Sequence, residues 1–376
     1  MIQNEGGKAP MELRKIPSQT DRGHIALVIR LLADRSGGAE RLYSEMANFL
    51  VDDGFRVSCV FFDASTGKPF YPIDSRVELI NLAAGDRPPG KIGAFWSKVL
   101  RRLMLTRAAP LFQRAAWNEA HGAFRKRLHQ YFLHSKPDVA ISFMPPANTP
   151  SLLASVGTDV KIIPTNHNVP AEDYTSPMRW DPNPHDRKLR LRALRHAAAI
   201  HVLFPAFKEW FPSSIRERIV AIPNYVASDI KNATPLDERE NLILAVGRLA
   251  PVKNYDLLLE AWHLIAAKYP KWKIILYGVG PMKRQLEAEV RALGLSKSFR
   301  MLGHRSEMAS EYARMAIFCH PAQFEGFGLS AAEALSLRMP VVAFSDCEGV
   351  KEFVVDGVNG LMVDRAGGRR APLQRS

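Results

Sequence analysis

Glu325 and Glu333 stand eight positions apart across Gly326-Phe327-Gly328-Leu329-Ser330-Ala331-Ala332. That spacing is a little over two helical turns, so a Glu325 in a loop and a Glu333 on the following helix can flank one ligand. Carboxylates accept hydrogen bonds from sugar and ribose hydroxyls, and the free N–H groups at 328–330 face phosphate. A nucleotide-sugar fills such an arrangement, while two surface glutamates on an amphipathic helix are the plain alternative. Upstream, Gly247-Arg248 and Lys253 bring two cations onto one loop. Arginine's planar fork and lysine's point charge suit a diphosphate leaving group that gains negative charge in the transition state. Gly278-Val279-Gly280-Pro281 lacks a full GxGxxG pattern and reads as a tight turn at a cleft. Gly37-Gly38-Ala39-Glu40-Arg41 lies where a first strand passes into a first helix, so glycine permits close backbone approach to an anion or sugar oxygen.

These residues need strands to carry them. Apolar runs over 24–30, 55–62, 139–143, 161–164 and 199–203 alternate with longer segments, one of them helical over 40–51. A polar stretch with Pro235 at 227–241 reads as a linker. A second series then begins, with strands at 242–246, 273–277, 299–302, 317–320 and 341–344, and helices at 256–268, 281–293 and 328–337. The expected organisation is a tail at 1–23, a Rossmann-like acceptor-side domain at 24–228 and a Rossmann-like donor domain at 229–376. Two doubly wound α/β halves in tandem leave a cleft at the carboxyl ends of their strands, where ligands of such sheets bind.

At 376 residues and 47% hydrophobic, the chain is long enough for two domains and its composition argues against disorder. Fifty-one Lys and Arg against 38 Asp and Glu leave a net charge of +13, which favours anionic partners. Cys59, Cys319 and Cys347 show no disulfide or zinc spacing, and no apolar run reaches the roughly 18 residues of a spanning helix. The polar opening lacks the apolar stretch of a signal peptide, and Met11 offers an alternative start, so the expected location is cytoplasmic. Nucleic acid is not expected as a partner, because no RRM, KH or zinc-finger pattern is present.

Over 91–136 there are ten Lys or Arg residues and one acidic residue, Glu119. Phe95, Val99 and Leu103, then Phe124, Leu128 and Phe132, fall at helical spacing, which reads either as an interfacial surface for anionic lipid or as a basic face over a core stripe. A second basic cluster lies at 187–195.

With these motifs in place, the chain resembles the family-4 (group 1) retaining glycosyltransferases of the GT-B fold. The resemblance covers about 24–364 and is most specific over 243–364, through Gly247-Arg248, Lys253, Gly278-Val279-Gly280-Pro281, the 325–333 element and Asp356-Gly357-Val358-Asn359-Gly360. It implies retaining transfer of a hexose or N-acetylhexosamine from a nucleotide donor, with UDP the family-level expectation, and no metal or other cofactor. The acceptor would be a glycan or a lipid-linked chain in cell-surface polysaccharide or glycoconjugate synthesis, with the enzyme peripheral on the inner face of the membrane. Carried over by motif, Arg248 and Lys253 neutralise the diphosphate, Glu325 holds the transferred sugar and Glu333 binds ribose. Gly38 brings the first-domain loop against phosphate or acceptor, and the donor segment comprises Gly37, Gly38, Gly247, Gly278, Gly326, Phe327, Gly328, Leu329 and Ser330. Thr165-Asn166-His167-Asn168 looks like the family's histidine segment beside the reacting centre, with His167 donating to donor or acceptor oxygens. No general base is identified, in keeping with front-face substitution assisted by the leaving phosphate. The family pattern continues past Gly360-Leu361-Met362-Val363, whereas 366–376 has no helical hydrophobic period, so the second domain is expected to be incomplete. A truncated, inactive paralogue acting as a binding protein is the rival reading.

Overall fold

The computed structural model describes residues 22–365, apart from 36, 66, 85–94, 96–98, 101, 105, 107–108, 178, 227–229 and 231. The first half is built on seven parallel strands: β1 (His24–Ile29), β2 (Arg56–Phe61), β3 (Glu78–Asn81), β4 (Val139–Phe143), β5 (Lys161–Thr165), β6 (Ile200–Val202) and β7 (Ile219–Ala221). Their spatial order is β3-β2-β1-β4-β5-β6-β7. The second half carries β8 (Glu240–Val246), β9 (Lys273–Tyr277), β10 (Phe299–Gly303), β11 (Met315–His320), β12 (Val341–Phe344) and β13 (Gly360–Val363), in the order β10-β9-β8-β11-β12-β13. Both sheets reverse direction of growth beside their first strand, at β1/β4 and at β8/β11. Such switch points open a crevice at the carboxyl ends of the strands.

Continuous apolar runs form the central strands because both faces of each sheet are covered. All six residues of β1 are buried, and Leu27, Val28 and Ile29 are wholly so. The helix Gly38–Asp52 turns Leu42, Tyr43 and Ala47 onto this sheet, and the Tyr43 hydroxyl donates to the Leu27 carbonyl at 2.9 Å. In the second half, Tyr255, Leu258, Leu259 and Trp262 recur at helical spacing in Tyr255–Ile265 and fill the space over β8 and β9.

Three strands escape the sequence reading. β3, β7 and β13 all lie at sheet edges, and their three or four residues alternate buried and exposed or stay partly exposed. Strands of three or four residues are too short for a run to stand out from the loops beside them. The helix Ala109–Ser135 settles part of the basic segment: Phe124, Leu128 and Phe132 are fully buried in the first-half core, with Trp117 and Tyr131 beside them. That stripe is therefore core. Phe95 is exposed, and most of 91–108 lies outside the described residues. Among the described residues no helix is long and apolar enough to cross a membrane.

Candidate active site

At the switch points the segments after β1 and β5 of the first half meet the segment after β11 of the second, Gly38 lying against Leu329 and His167 against Gly326. The loop after β8 holds Gly247, Arg248 and the short 3-10 turn Pro251–Lys253. Asn254 takes a left-handed conformation (φ 51°) at the end of that turn, and its side chain donates to the Pro321 carbonyl at 3.1 Å. Gln323 N–H donates to the Val252 carbonyl at 2.8 Å. These bonds tie the loop after β11 to the loop after β8, and Lys253 Nζ meets Glu325 Oε1 in an ion pair. Burial, followed by the like charges of Arg248 and Arg179, lowers the Lys253 ammonium to about 8. Arg248 is exposed and makes no ion pair among the described residues. The cation cluster thus draws Arg179 from the first half, a residue the sequence reading did not single out. Its Nη2 donates to Asn168 Oδ1 at 2.9 Å, and its guanidinium lies 5.9 Å from the Phe324 ring.

Gly326 is where the halves touch through backbone. A Cβ there would stand 2.1 Å from the His167 carbonyl oxygen and 2.5 Å from Asn168 Cα. His167 thus meets the 325–328 loop through its backbone, while its side chain packs inside the first half. Its ring stacks on Phe143 at 5.2 Å, and Nε2 lies 2.9 Å from Thr165 Oγ1, which itself donates to the Ser142 carbonyl at 2.9 Å. Burial, with His201 beside it, lowers the imidazole to about 3, so His167 works as a neutral hydrogen-bonding group.

Glu333 sits one helical face away, in Leu329–Ser336, and is 7% exposed. Tyr312 donates to its Oε2 at 2.8 Å, and Arg41 Nη1, from the first half, donates to Oε1 at 3.2 Å. Glu325 and Glu333 therefore belong to two separate networks, one with Lys253 and one with Arg41 and Tyr312. Arg41 lies inside the Gly37-Gly38-Ala39-Glu40-Arg41 motif, so its signal was present, but nothing local says which carboxylate it meets.

Several residues expected in the donor segment have packing contacts of their own. Phe327 is 8% exposed and stacks on Phe204 of the first half at 5.3 Å with rings 10° from parallel, with Phe353 at 5.5 Å. Its side chain is a joint between the halves. Leu329 packs toward Gly38, whose Cβ position lies 3.4 Å from Leu329 Cδ1, so Gly38 approaches the second half's helix start through an apolar contact. Gly278 is required by packing: a Cβ there would lie 1.9 Å from the Gly247 carbonyl oxygen, and one at Gly280 would lie 2.4 Å from that of Leu249. Gly328, with φ 84°, caps the helix, and a Cβ would meet Val350 Cγ2 at 2.7 Å. Gly37 is the N-cap of Gly38–Asp52. Leu329 and Ser330 stand in the first turn of Leu329–Ser336, where backbone N–H groups have no intrahelical acceptor.

Residues 37–225 match the glycosyl transferase 4-like domain, and residues 226–367 match the glycosyl transferases group 1. The chain belongs to the group 1 glycosyltransferases of the GT-B fold. This glycosyltransferase is 27% identical over 341 residues, 90% of its length and 84% of the relative's, to the Campylobacter jejuni GalNAc-alpha-(1->4)-GalNAc-alpha-(1->3)-diNAcBac-PP-undecaprenol alpha-1,4-N-acetyl-D-galactosaminyltransferase. Its fold is similar to that of TarM, with a TM-score of 0.68 at 14% identity over 93% of this chain and 90% of TarM. HepE of Anabaena, solved with UDP, matches with a TM-score of 0.63 at 17% identity over 91% of this chain and 86% of that one. With 86–90% of these solved chains covered, the expected incompleteness of the second half finds no support.

One cluster outside the cleft has metal-like composition: His121, Asp181 and Asp186 bring ligand atoms within 4.8 Å of one another. Asp186 is already held by Arg190 and by Trp117 Nε1, the latter at 2.6 Å, and His121 Nε2 lies 3.1 Å from Asp181. These partners make it a structural polar cluster on the first half.

Proposed function

We propose that this glycosyltransferase moves a hexose or N-acetylhexosamine from a UDP-sugar to a glycan or lipid-linked acceptor with retention of configuration, in cell-surface glycan synthesis. The observation that carries this reading is the meeting of Lys253, Glu325 and Arg179 at the crevice, with Arg248 on the same loop. A cation held in place and partly shielded from water, as Lys253 is by Glu325, stabilises a departing diphosphate more than it would in bulk water. Lys253 and Arg248 take that charge, so no metal is required in this scheme. Glu325 holds the sugar and Glu333 exchanges Arg41 for the ribose hydroxyls. As the bond from the anomeric carbon to the phosphate oxygen breaks, the acceptor oxygen bonds to the same face of that carbon. The acceptor proton passes to the leaving phosphate, which needs no separate base. His167, neutral and with its Nε2–H given to Thr165, keeps Nδ1 as a hydrogen-bond acceptor.

The choice of UDP draws support from HepE, solved with UDP, and from a Staphylococcus aureus TarM variant solved in complex with Fondaparinux, alpha-GlcNAc-glycerol and UDP. The lipid-linked class of acceptor draws support from the undecaprenol-linked substrate in the Campylobacter relative's name. Exposed Arg114, Arg125 and Lys126 on Ala109–Ser135 supply basic charge for an anionic membrane surface, through which the enzyme would work as a peripheral cytoplasmic protein. Calorimetric titration with UDP, with GDP and ADP as controls, tests the donor site. Saturable UDP binding that is lost in Glu333→Ala supports it, and a folded chain that binds none of the three removes it. Activity insensitive to EDTA, and co-sedimentation with anionic but not neutral vesicles, are the outcomes expected for the remaining parts of the scheme.

A further inference from the structure

The loop after β2 presents an aromatic ring that belongs to none of the hydrophobic cores. Backbone contacts hold the loop on both sides: Asp34 N–H donates to the Lys68 carbonyl at 3.0 Å, and Ala33 and Pro69 form an antiparallel bridge. Asn48 donates to the Pro72 carbonyl at 3.1 Å and accepts from Asp74 N–H at 2.8 Å. Between these anchors Phe70 is 49% exposed. Tyr71 lies edge-on to it at 5.1 Å, and the ring reaches across to the second half, where it meets the His304 imidazole at 5.8 Å and 89°. Holding a half-exposed phenyl ring at a cleft leaves apolar area in water that a flat ligand would cover.

The position of this pair relative to the donor site is informative. His304 directly follows β10, and the next helix, Ala309–Arg314, carries the Tyr312 that donates to Glu333. Tyr71 lies within the field of Arg41 and Glu333: burial raises its phenol, Arg41 opposes this, and Glu40, Glu45 and Glu333 add to it. Along the strand ends the groups run from Glu325 after β11, to Lys253 and Arg248 after β8, and on past β9 to His304 after β10. Glu333 touches Tyr312 of the helix that follows β10 and acts on Tyr71 beside Phe70, so a nucleoside whose ribose sits at Glu333 has the Phe70–His304 pair next to it.

We infer that Phe70, carried by the first half and set against His304 of the second, stacks on the nucleobase of the donor. This rests on the donor-site reading above and adds a residue to it. A base offers a π face to an aromatic ring whatever its hydrogen-bonding edge, so Phe70 contributes affinity for the nucleoside and none for the diphosphate alone.

The test is calorimetry on the full chain with UDP and with inorganic pyrophosphate, comparing wild type, Phe70→Ala and Phe70→Tyr, with circular dichroism to verify folding. Phe70→Ala is expected to weaken UDP about tenfold and leave pyrophosphate within about twofold, while Phe70→Tyr binds UDP as wild type does. Unchanged UDP affinity in Phe70→Ala overturns the inference. An equal loss for UDP and pyrophosphate also overturns it, because that pattern belongs to domain closure. A wild-type chain that binds neither ligand removes the donor-site reading itself, and this base contact with it, before any substitution is compared.

Discussion

Arg41 and Glu333, 292 positions apart in sequence, form an ion pair of 3.2 Å that joins the first helix of one half to the donor helix of the other. Arg41 also donates to Glu45 at 3.0 Å, and Glu45 accepts from the Tyr225 hydroxyl at 2.6 Å, so the contact continues into the segment between the halves. A ribose at Glu333 must take over one of these carboxylate oxygens. In the proposed scheme, donor binding and the coupling of the halves share the Glu333 side chain.

Glu333→Ala is expected to weaken UDP binding at least tenfold and to lower stability by about 1–3 kcal/mol, since the buried Tyr312 hydroxyl loses its acceptor and Arg41 its counter-charge. Calorimetry and urea unfolding measure the two effects. Unchanged values in both would show that the carboxylate contributes neither contact.

Lys253 supplies a pH dependence. Its ammonium is held at about 8, and only the charged form attracts a diphosphate. Affinity for UDP is expected to be steady below pH 8 and to fall by up to tenfold per unit above it, because each binding event must then take up a proton. Lys253→Arg should abolish that fall, since guanidinium stays charged throughout. Titration from pH 6.5 to 9.5 checks both.

His167 has the opposite consequence, on stability. With the folded value lowered from 6.5 to about 3, the native state binds fewer protons than the unfolded chain between those limits. Its contribution is fully present above pH 6.5 and is lost as the pH falls toward 3. His167→Gln should flatten this part of the urea-midpoint profile. A profile with the same slope in wild type and variant would count against a buried neutral imidazole.

Gly326→Ala is expected to lower kcat by at least a hundredfold with little change in the stability of either half. The added Cβ falls on the backbone of His167 and Asn168, which cannot yield as a flexible side chain would. The catalytic groups would then be displaced by an ångström or more. Steady-state kinetics and thermal unfolding separate this from misfolding.

Phe327→Ala is expected to cost about 3 kcal/mol in urea unfolding, through the emptied space between Phe204 and Phe353. A loss under about 1 kcal/mol would mean that the ring is not a joint. Affinity for pyrophosphate should be retained, because the side chain faces the other half and not the cation loop.

The interior strands were legible because their apolar runs are complete within five or six residues. β4, β9 and β12 begin and end where the runs do. β7 and β13 were not, since an edge strand is defined by the neighbour it pairs with. Val220 and Leu361 are exposed although their backbones belong to the sheets. In the site, Arg248, Lys253 and Glu325 could be proposed from local windows rich in glycine and charge. The tight turn at Gly278 could be read from sequence, but its neighbour could not, since a glycine that admits a ligand and one that admits another loop's carbonyl look alike there.

Charge, glycine placement and hydrophobic period by themselves determined two doubly wound halves, the loops that carry the site and the class of anion they suit, because each of these depends on residues within one or two turns of chain. The tertiary structure alone decided which partners those residues meet: Lys253 with Glu325, Arg41 with Glu333, Phe327 with Phe204, Gly326 with the His167 backbone. Such contacts depend on how two separately folded sheets face each other, and that arrangement follows from the packing of apolar rings and backbones at the joint, which no local spacing records.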